Sequence, residues 1–192
     1  LESVEYHKAL SLCDKYGLTM LVRDQKGLEK FVVKELGITG ESAAEWLKKN
    51  GESLKSRLDD YATHPSFAGI LAADEPHTGK YPELRILQDW FKKYYPEKEF
   101  EVNLLPDYAS QEQLFNDEKG NYPYQKYLDE FIDVVQPEYL SYDHYALIIN
   151  HETGEQYLRP SYLKNLEYFA KASKRTGIPF KVFLLTLGHW DF

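Results

Sequence analysis

The hydrophobic positions of this chain follow two alternating patterns from one end to the other. Apolar residues recur at helical spacing in residues 6–16, 43–61, 84–94, 124–135 and 160–176, which predicts amphipathic helices. Short continuous apolar runs predict buried strands at 18–22, 67–73, 100–105, within 139–149 and at 180–187. Residues that favour helix ends support these ranges: Ser42 with Glu45, Gly17, Pro137 and Gly177.

Strands that alternate with helices predict right-handed crossovers and a parallel sheet covered by helices. No linker or repeat of fixed period interrupts the pattern, so we expect one α/β domain over residues 1–192. Five strands are too few to close the usual eight-stranded barrel. Because the chain starts without Met and ends after an apolar run, we expect an incomplete (β/α)8 (TIM) barrel, a fragment of a longer catalytic domain. The alternative is an open, doubly wound α/β sheet.

Composition narrows the classes of partner. Aromatic residues make up 15% of the chain, which excludes a disordered protein and is typical of a surface that stacks on ligands. The net charge of −8 argues against nucleic acid and anionic membranes as partners. The single Cys13 excludes a disulfide within the chain and a multi-cysteine metal site.

Polar residues follow the predicted strands where each strand ends. In parallel α/β folds this carboxyl edge is the place where ligands bind. We therefore expect a binding site that includes Arg23, Asp24, Asp74, Glu75, Asn103, Asp143, His144, Tyr145, His189 and Trp190.

Glu75 is the strongest candidate for chemistry in this set. It follows Ala72 and Ala73, stands beside Asp74 and precedes Pro76, so we expect a buried carboxyl whose pKa is raised by its apolar surroundings and by the adjacent charge. Such an acid can donate a proton to a leaving oxygen near neutral pH. The alternative is an Asp–Glu pair that caps the next helix or faces solvent.

The other candidates also have a structural interpretation. Asp143, His144 and Tyr145 can orient a sugar or a metal, or they can form an internal hydrogen-bond network. An inward Asn103 can bind a hydroxyl or hold Glu75, because an unpaired buried amide is costly. The sequence has no phosphate-binding glycine loop, G-x-S-x-G or H-E-x-x-H motif, so we expect no cofactor and no metal.

The segment from His64 to Pro76, which ends in Ala-Asp-Glu-Pro, resembles the fourth strand of (β/α)8-barrel glycoside hydrolases. The likeness is to the β-galactosidase-like barrels of gut Bacteroides-type bacteria. Residues 18–24, 103–106, 140–145 and 184–189 are then similar to the third, fifth, sixth and seventh strands. The resemblance implies Glu75 as general acid/base with Asp74 in support, and a carbohydrate substrate. It also suggests a periplasmic or secreted protein.

The chain departs from that pattern at the seventh strand. Retaining members of this clan carry a nucleophilic glutamate there, but no glutamate follows Phe180. The second carboxylate can be Asp143, or lie outside this chain, or not exist. The sequence therefore predicts a glycoside hydrolase that uses carboxylate acid/base catalysis. The alternative is a non-catalytic carbohydrate-binding barrel or an inactive fragment. An incomplete barrel exposes sheet edges, so we also expect either self-association or an unusual rearrangement, which a monodisperse monomer in light scattering would contradict.

Overall fold

The computed structural model describes residues 3–23 and 42–184. The helices in these ranges are α1 Ser3–Tyr16, α2 Ala43–Tyr61, α3 Tyr81–Tyr94, α4 Gln111–Phe115, α5 Tyr124–Val135 and α6 Tyr162–Thr176. The strands are β1 Met20–Val22, β2 Phe67–Asp74, β3 Glu99–Leu104, β4 Leu140–Asp143, β5 Leu147–Ile149, β6 Gln156–Leu158 and β7 Phe180–Phe183. A short 3₁₀ turn, Thr78–Lys80, precedes α3.

Five of these strands form one sheet in the order β1-β2-β3-β4-β7, and the remaining two form the β5-β6 hairpin. The pairings of β1 with β2, of β3 with β4 and of β4 with β7 are parallel. The class is therefore confirmed as α/β with a central parallel sheet, a result consistent with the doubly wound alternative. A (β/α)8 barrel is not shown by residues 3–23 and 42–184.

Most of the predicted elements are confirmed, with two differences after β4. That strand ends at Asp143, so His144 and Tyr145 lie in the following loop. A short antiparallel hairpin, β5-β6, then precedes α6, and no strand was predicted at residues 156–158. Strand β7 is observed to Phe183, and residues 185–192 lie outside the described part of the chain.

Contacts group the chain into two compact units, Leu1–Asp74 with Lys80–Val102, and Glu75–Gly79 with Asn103–Phe192. In the first unit, the capping box of Ser42 and Glu45 is formed as predicted at the start of α2. Its core includes Leu10, Leu58 and Phe67, all fully buried. Each such side chain contributes about 1.5–3 kcal/mol through burial.

Hydrogen bonds also join α1 to the segment before β2 in this first unit. The Asp14 carboxylate accepts from the backbone N–H of Ser66 at 2.8 Å and contacts Nδ1 of His64 at 2.7 Å. His64 Nε2 lies 3.1 Å from Nδ1 of His7, whose Nε2 lies 2.9 Å from the Asp60 carboxylate. A charged side chain on α1 therefore fixes the start of β2.

The second unit has an aromatic core. Tyr142 on β4 stacks on Phe169 of α6, with ring centroids 3.9 Å apart. Tyr127 of α5 is fully buried, and its hydroxyl donates to the Pro76 carbonyl at 2.8 Å. Helix α6 ends at Gly177, whose φ of 77° satisfies the left-handed conformation that this position requires. Aromatic packing and the hydroxyl of Tyr127 together fix the backbone immediately after Glu75.

Candidate active site

Glu75 has an unusual backbone conformation at the carboxyl end of β2. Its φ is +50°, although it is not glycine and it precedes Pro76, which favours extended conformations for the preceding residue. Its backbone N–H donates to the Asn103 carbonyl at 2.8 Å. Two other described non-glycine residues have positive φ, Asn116 and Gln136, and both end helices. A positive φ at Asn116 and Gln136 is the ordinary way to end a helix, but Glu75 does not end one. Backbone strain of this kind is typical of functional positions.

The side chain of Glu75 is exposed, so the prediction of a buried carboxyl was wrong. The apolar residues Ala72 and Ala73 are buried, but the chain changes direction at Glu75 because of its left-handed φ. The burial seen at Ala72 and Ala73 therefore does not extend to the side chain of Glu75. Exposure leaves the carboxyl open to a ligand.

Asn103 and Asp143 meet at the ends of the adjacent strands β3 and β4. Asn103 lies opposite Ser141 in the parallel pairing, and Asp143 is two residues further along β4. The Asn103 amide Nδ2 donates to Asp143 Oδ1 at 3.0 Å. Asn103 is buried and Asp143 is half-buried. The amide therefore orients and stabilises the ionised form of a carboxylate that still reaches the surface.

Two tyrosines lie close enough to both carboxylates to respond to their charge. Burial raises the pKa of Tyr145, and its hydroxyl also forms a hydrogen bond with Asp143. Burial likewise raises the pKa of Tyr108. The charges of Asp143 and Glu75 raise the pKa values of both phenols further. Glu75, Asp143, Tyr108 and Tyr145 thus form one cluster, which we call the carboxylate–tyrosine cluster.

His144 lies beneath this cluster with a fully buried side chain. Its Nε2 is 3.2 Å from Ser161 Oγ and 3.8 Å from the Asp107 carboxylate. Its ring contacts Tyr108 and Tyr162 edge-to-face, with centroids 5.0 and 5.3 Å apart. These contacts form the internal network that was the alternative interpretation of His144. The predicted contact of His144 with a sugar stays a prediction.

Asp74 and Arg23 pair with each other within the other compact unit. Arg23 Nη1 lies 3.2 Å from Asp74 Oδ2, and both side chains are about one-third exposed, each 35%. The predicted roles of Asp74 in supporting the acid and of Arg23 in binding substrate stay predictions. Asp24, His189 and Trp190, the remaining predicted site residues, lie outside the described residues.

Three residues near the cluster were not predicted from the sequence. Arg159 places its guanidinium carbon 4.1 Å from the centre of the Tyr108 ring, and its Nε donates to the Tyr145 carbonyl at 3.2 Å. Asn165 Oδ1 accepts from the backbone N–H of Asp107 at 2.6 Å. Asp107, three residues after the end of β3, carried a positional signal. Arg159 and Asn165 carried none, because they follow an unpredicted hairpin.

Comparisons with known proteins do not identify the chain. No protein-family model matches it, and no curated protein and no solved structure is significantly similar to it. Across residues 3–23 and 42–184, no group of three or more His, Cys, Asp or Glu side chains could hold a metal ion. No helix in that part of the chain is long and apolar enough to span a membrane.

Proposed function

We propose that this protein hydrolyses O-glycosidic bonds in a carbohydrate substrate, with Glu75 as general acid/base and Asp143 as the second carboxylate. The observation that carries the proposal is the strained, exposed Glu75 at a strand end, together with Asp143, a carboxylate held by Asn103 whose charge acts on the same two tyrosines. Two acidic side chains in different surroundings are what acid-catalysed glycoside cleavage needs. The earlier resemblance to glycoside hydrolases points to the same residue.

The chemistry assigns a different task to each carboxyl group. Protonated Glu75 donates its proton to the glycosidic oxygen, the bond from that oxygen to the anomeric carbon breaks, and the released alcohol leaves. Positive charge develops on the sugar ring, and the ionised Asp143 stabilises it. A water molecule then adds to the anomeric carbon and loses a proton to the Glu75 carboxylate, which restores the starting state.

The remaining parts of the cluster suit a sugar ligand. Tyr108 offers a hydroxyl group that can donate to a sugar hydroxyl, and the Tyr145 oxygen can accept from one while its O–H donates to Asp143. The raised pKa values keep both phenols protonated. We also propose that the sheet belongs to a (β/α)8 barrel. Its strand order, β1-β2-β3-β4-β7, supports this, because successive strands of such a barrel lie side by side in chain order.

The decisive experiment compares Glu75→Gln with the native protein on two kinds of glycoside. We expect hydrolysis of a substrate with an alkyl or sugar leaving group to fall about 10²–10⁴-fold, the usual contribution of a general acid. The rate at which the glycosidic bond of a nitrophenyl glycoside breaks should fall far less, because nitrophenolate leaves without being protonated. A panel of nitrophenyl glycosides identifies the sugar first.

Glu118→Gln is the matched control, since Glu118 is an exposed glutamate of the same compact unit. It should leave both rates unchanged. Equal losses on both substrate types, or full activity in Glu75→Gln, would refute the assignment of the acid. Sugar binding by calorimetry without release of product from any glycoside would instead favour the non-catalytic binding protein.

A further inference from the structure

The start of α6 and the three residues before it contact both loops of the carboxylate–tyrosine cluster. One loop follows β3 and contains Tyr108, and the other follows β4 and contains Tyr145. We call residues 159–165 the anchor segment. All of these residues belong to the same compact unit.

Arg159 makes contacts to both loops from this segment. Its guanidinium lies over the Tyr108 ring at 4.1 Å, a cation–π contact. Its Nε donates to the Tyr145 carbonyl at 3.2 Å, and its backbone N–H donates to the Ala146 carbonyl at 2.7 Å. One rigid planar side chain therefore bridges the two tyrosine-bearing loops. The backbone of Tyr145 also forms a hydrogen bond with the Tyr108 hydroxyl, so Arg159 supports a contact that the loops make directly.

Two more side chains of the anchor segment contact the same two loops. Ser161 contacts His144, the residue between Asp143 and Tyr145. Asn165 is fully buried and accepts from the backbone N–H of Asp107, the residue before Tyr108. One residue of each loop, Asp107 or His144, is therefore held by the anchor segment. The tyrosine that follows it in the chain is directed toward the cluster.

We propose that Arg159 is a positioning residue, which holds Tyr108 and Tyr145 beside the two carboxylates of the cluster. It acts through the tyrosines and needs no contact with substrate. Its role in catalysis rests on the proposed glycoside hydrolysis, but its role in placing the two phenols does not. The two parts can therefore be tested separately.

The structural part is tested by titrating the phenols in the unliganded protein. Tyrosines labelled with ¹³C at Cζ are followed by NMR against pH, and Tyr108→Phe and Tyr145→Phe assign the two signals. If Arg159 positions the loops, Arg159→Met releases both phenols toward solvent and away from Asp143. The pKa values of both tyrosines then fall toward 10.0, the ordinary value.

The opposite sign is expected if Arg159 supplies only its charge. The guanidinium lowers the pKa of Tyr108, so loss of the charge alone would raise that pKa and leave Tyr145 unchanged. A rise at Tyr108 with no change at Tyr145, or no change at either, overturns the proposal. Arg175→Met is the matched control, because Arg175 lies at the other end of α6 and pairs with Asp129.

Arg159→Lys is a second variant that retains the charge and most of the stem. It keeps a cation near Tyr108 but loses the Nε donor to Tyr145, so we expect the pKa of Tyr145 to fall more than that of Tyr108. In a protein that hydrolyses glycosides, Arg159→Met should lower kcat about 10²-fold, with a smaller change in KM. If the native protein hydrolyses none, the proposed function fails, and the titration still decides the role of Arg159.

Discussion

Gly69 on β2 packs directly against the backbone of Glu99 at the start of β3, and a side chain at this position should be poorly tolerated. Its φ is +151°, a conformation that L-residues rarely adopt. A Cβ atom added here would lie 2.5 Å from the backbone nitrogen of Glu99 and 2.8 Å from its carbonyl carbon, and closer still to its oxygen. The obstacle is backbone, so no side-chain rotation relieves it.

The size of the effect follows from these distances. Ordinary contact begins near 3.4 Å, so the Glu99 nitrogen must move by about 0.9 Å and the Glu99 oxygen by more. That displacement weakens the hydrogen bonds between the two strands, at about 1–3 kcal/mol for each buried group left unpaired. Backbone strain adds about 1–3 kcal/mol. We expect Gly69→Ala to lower the free energy of unfolding by about 3–5 kcal/mol.

Urea unfolding followed by circular dichroism measures this loss, and melting should shift down by about 10 °C. Gly17→Ala is the control, because Gly17 also has a positive φ, +67°, but has no atom within 4 Å of the added Cβ. Gly17→Ala should lower the free energy of unfolding by only about 1–2 kcal/mol, because it introduces backbone strain without a clash. Equal losses in the two variants, or rescue of Gly69→Ala by Glu99→Ala, would show that the backbone contact is not the cause.

Two further predictions concern charged groups. Asn103→Ala removes the 3.0 Å hydrogen bond to Asp143, and should lower both hydrolysis and the free energy of unfolding, the latter by about 1.5–3 kcal/mol; an unchanged urea midpoint would contradict this. The hydrogen bond from His64 and those from Ser66 lower the pKa of Asp14 below 3.8. The stabilisation of the fold by ionised Asp14 is therefore complete above pH 3.8. It is lost as the pH falls through the lowered pKa of Asp14. Asp14→Asn should flatten the fall in the urea midpoint between about pH 5 and pH 2; an equally steep fall would contradict the assignment.

The class of fold and the edge at which polar residues collect could both be predicted from the amino-acid sequence. Helical spacing and buried runs predicted the α/β alternation because burial of apolar side chains has a different period in helices and strands. The same logic predicted that Asn103 and Asp143 would share a sheet edge, and they are hydrogen-bonded there. These features depend on neighbours along the chain, so pattern alone is sufficient.

Only the tertiary structure decided how that edge is arranged. The left-handed φ of Glu75 turned an expected buried carboxyl outward, and pattern rules treat the residue before proline as extended. His144 turned inward to Ser161, while Arg159 and Asn165 reached the site from beyond an unpredicted hairpin. Contacts between residues far apart in sequence have no local period, because they depend on how elements pack. The residues that position the site therefore became visible only in the folded chain.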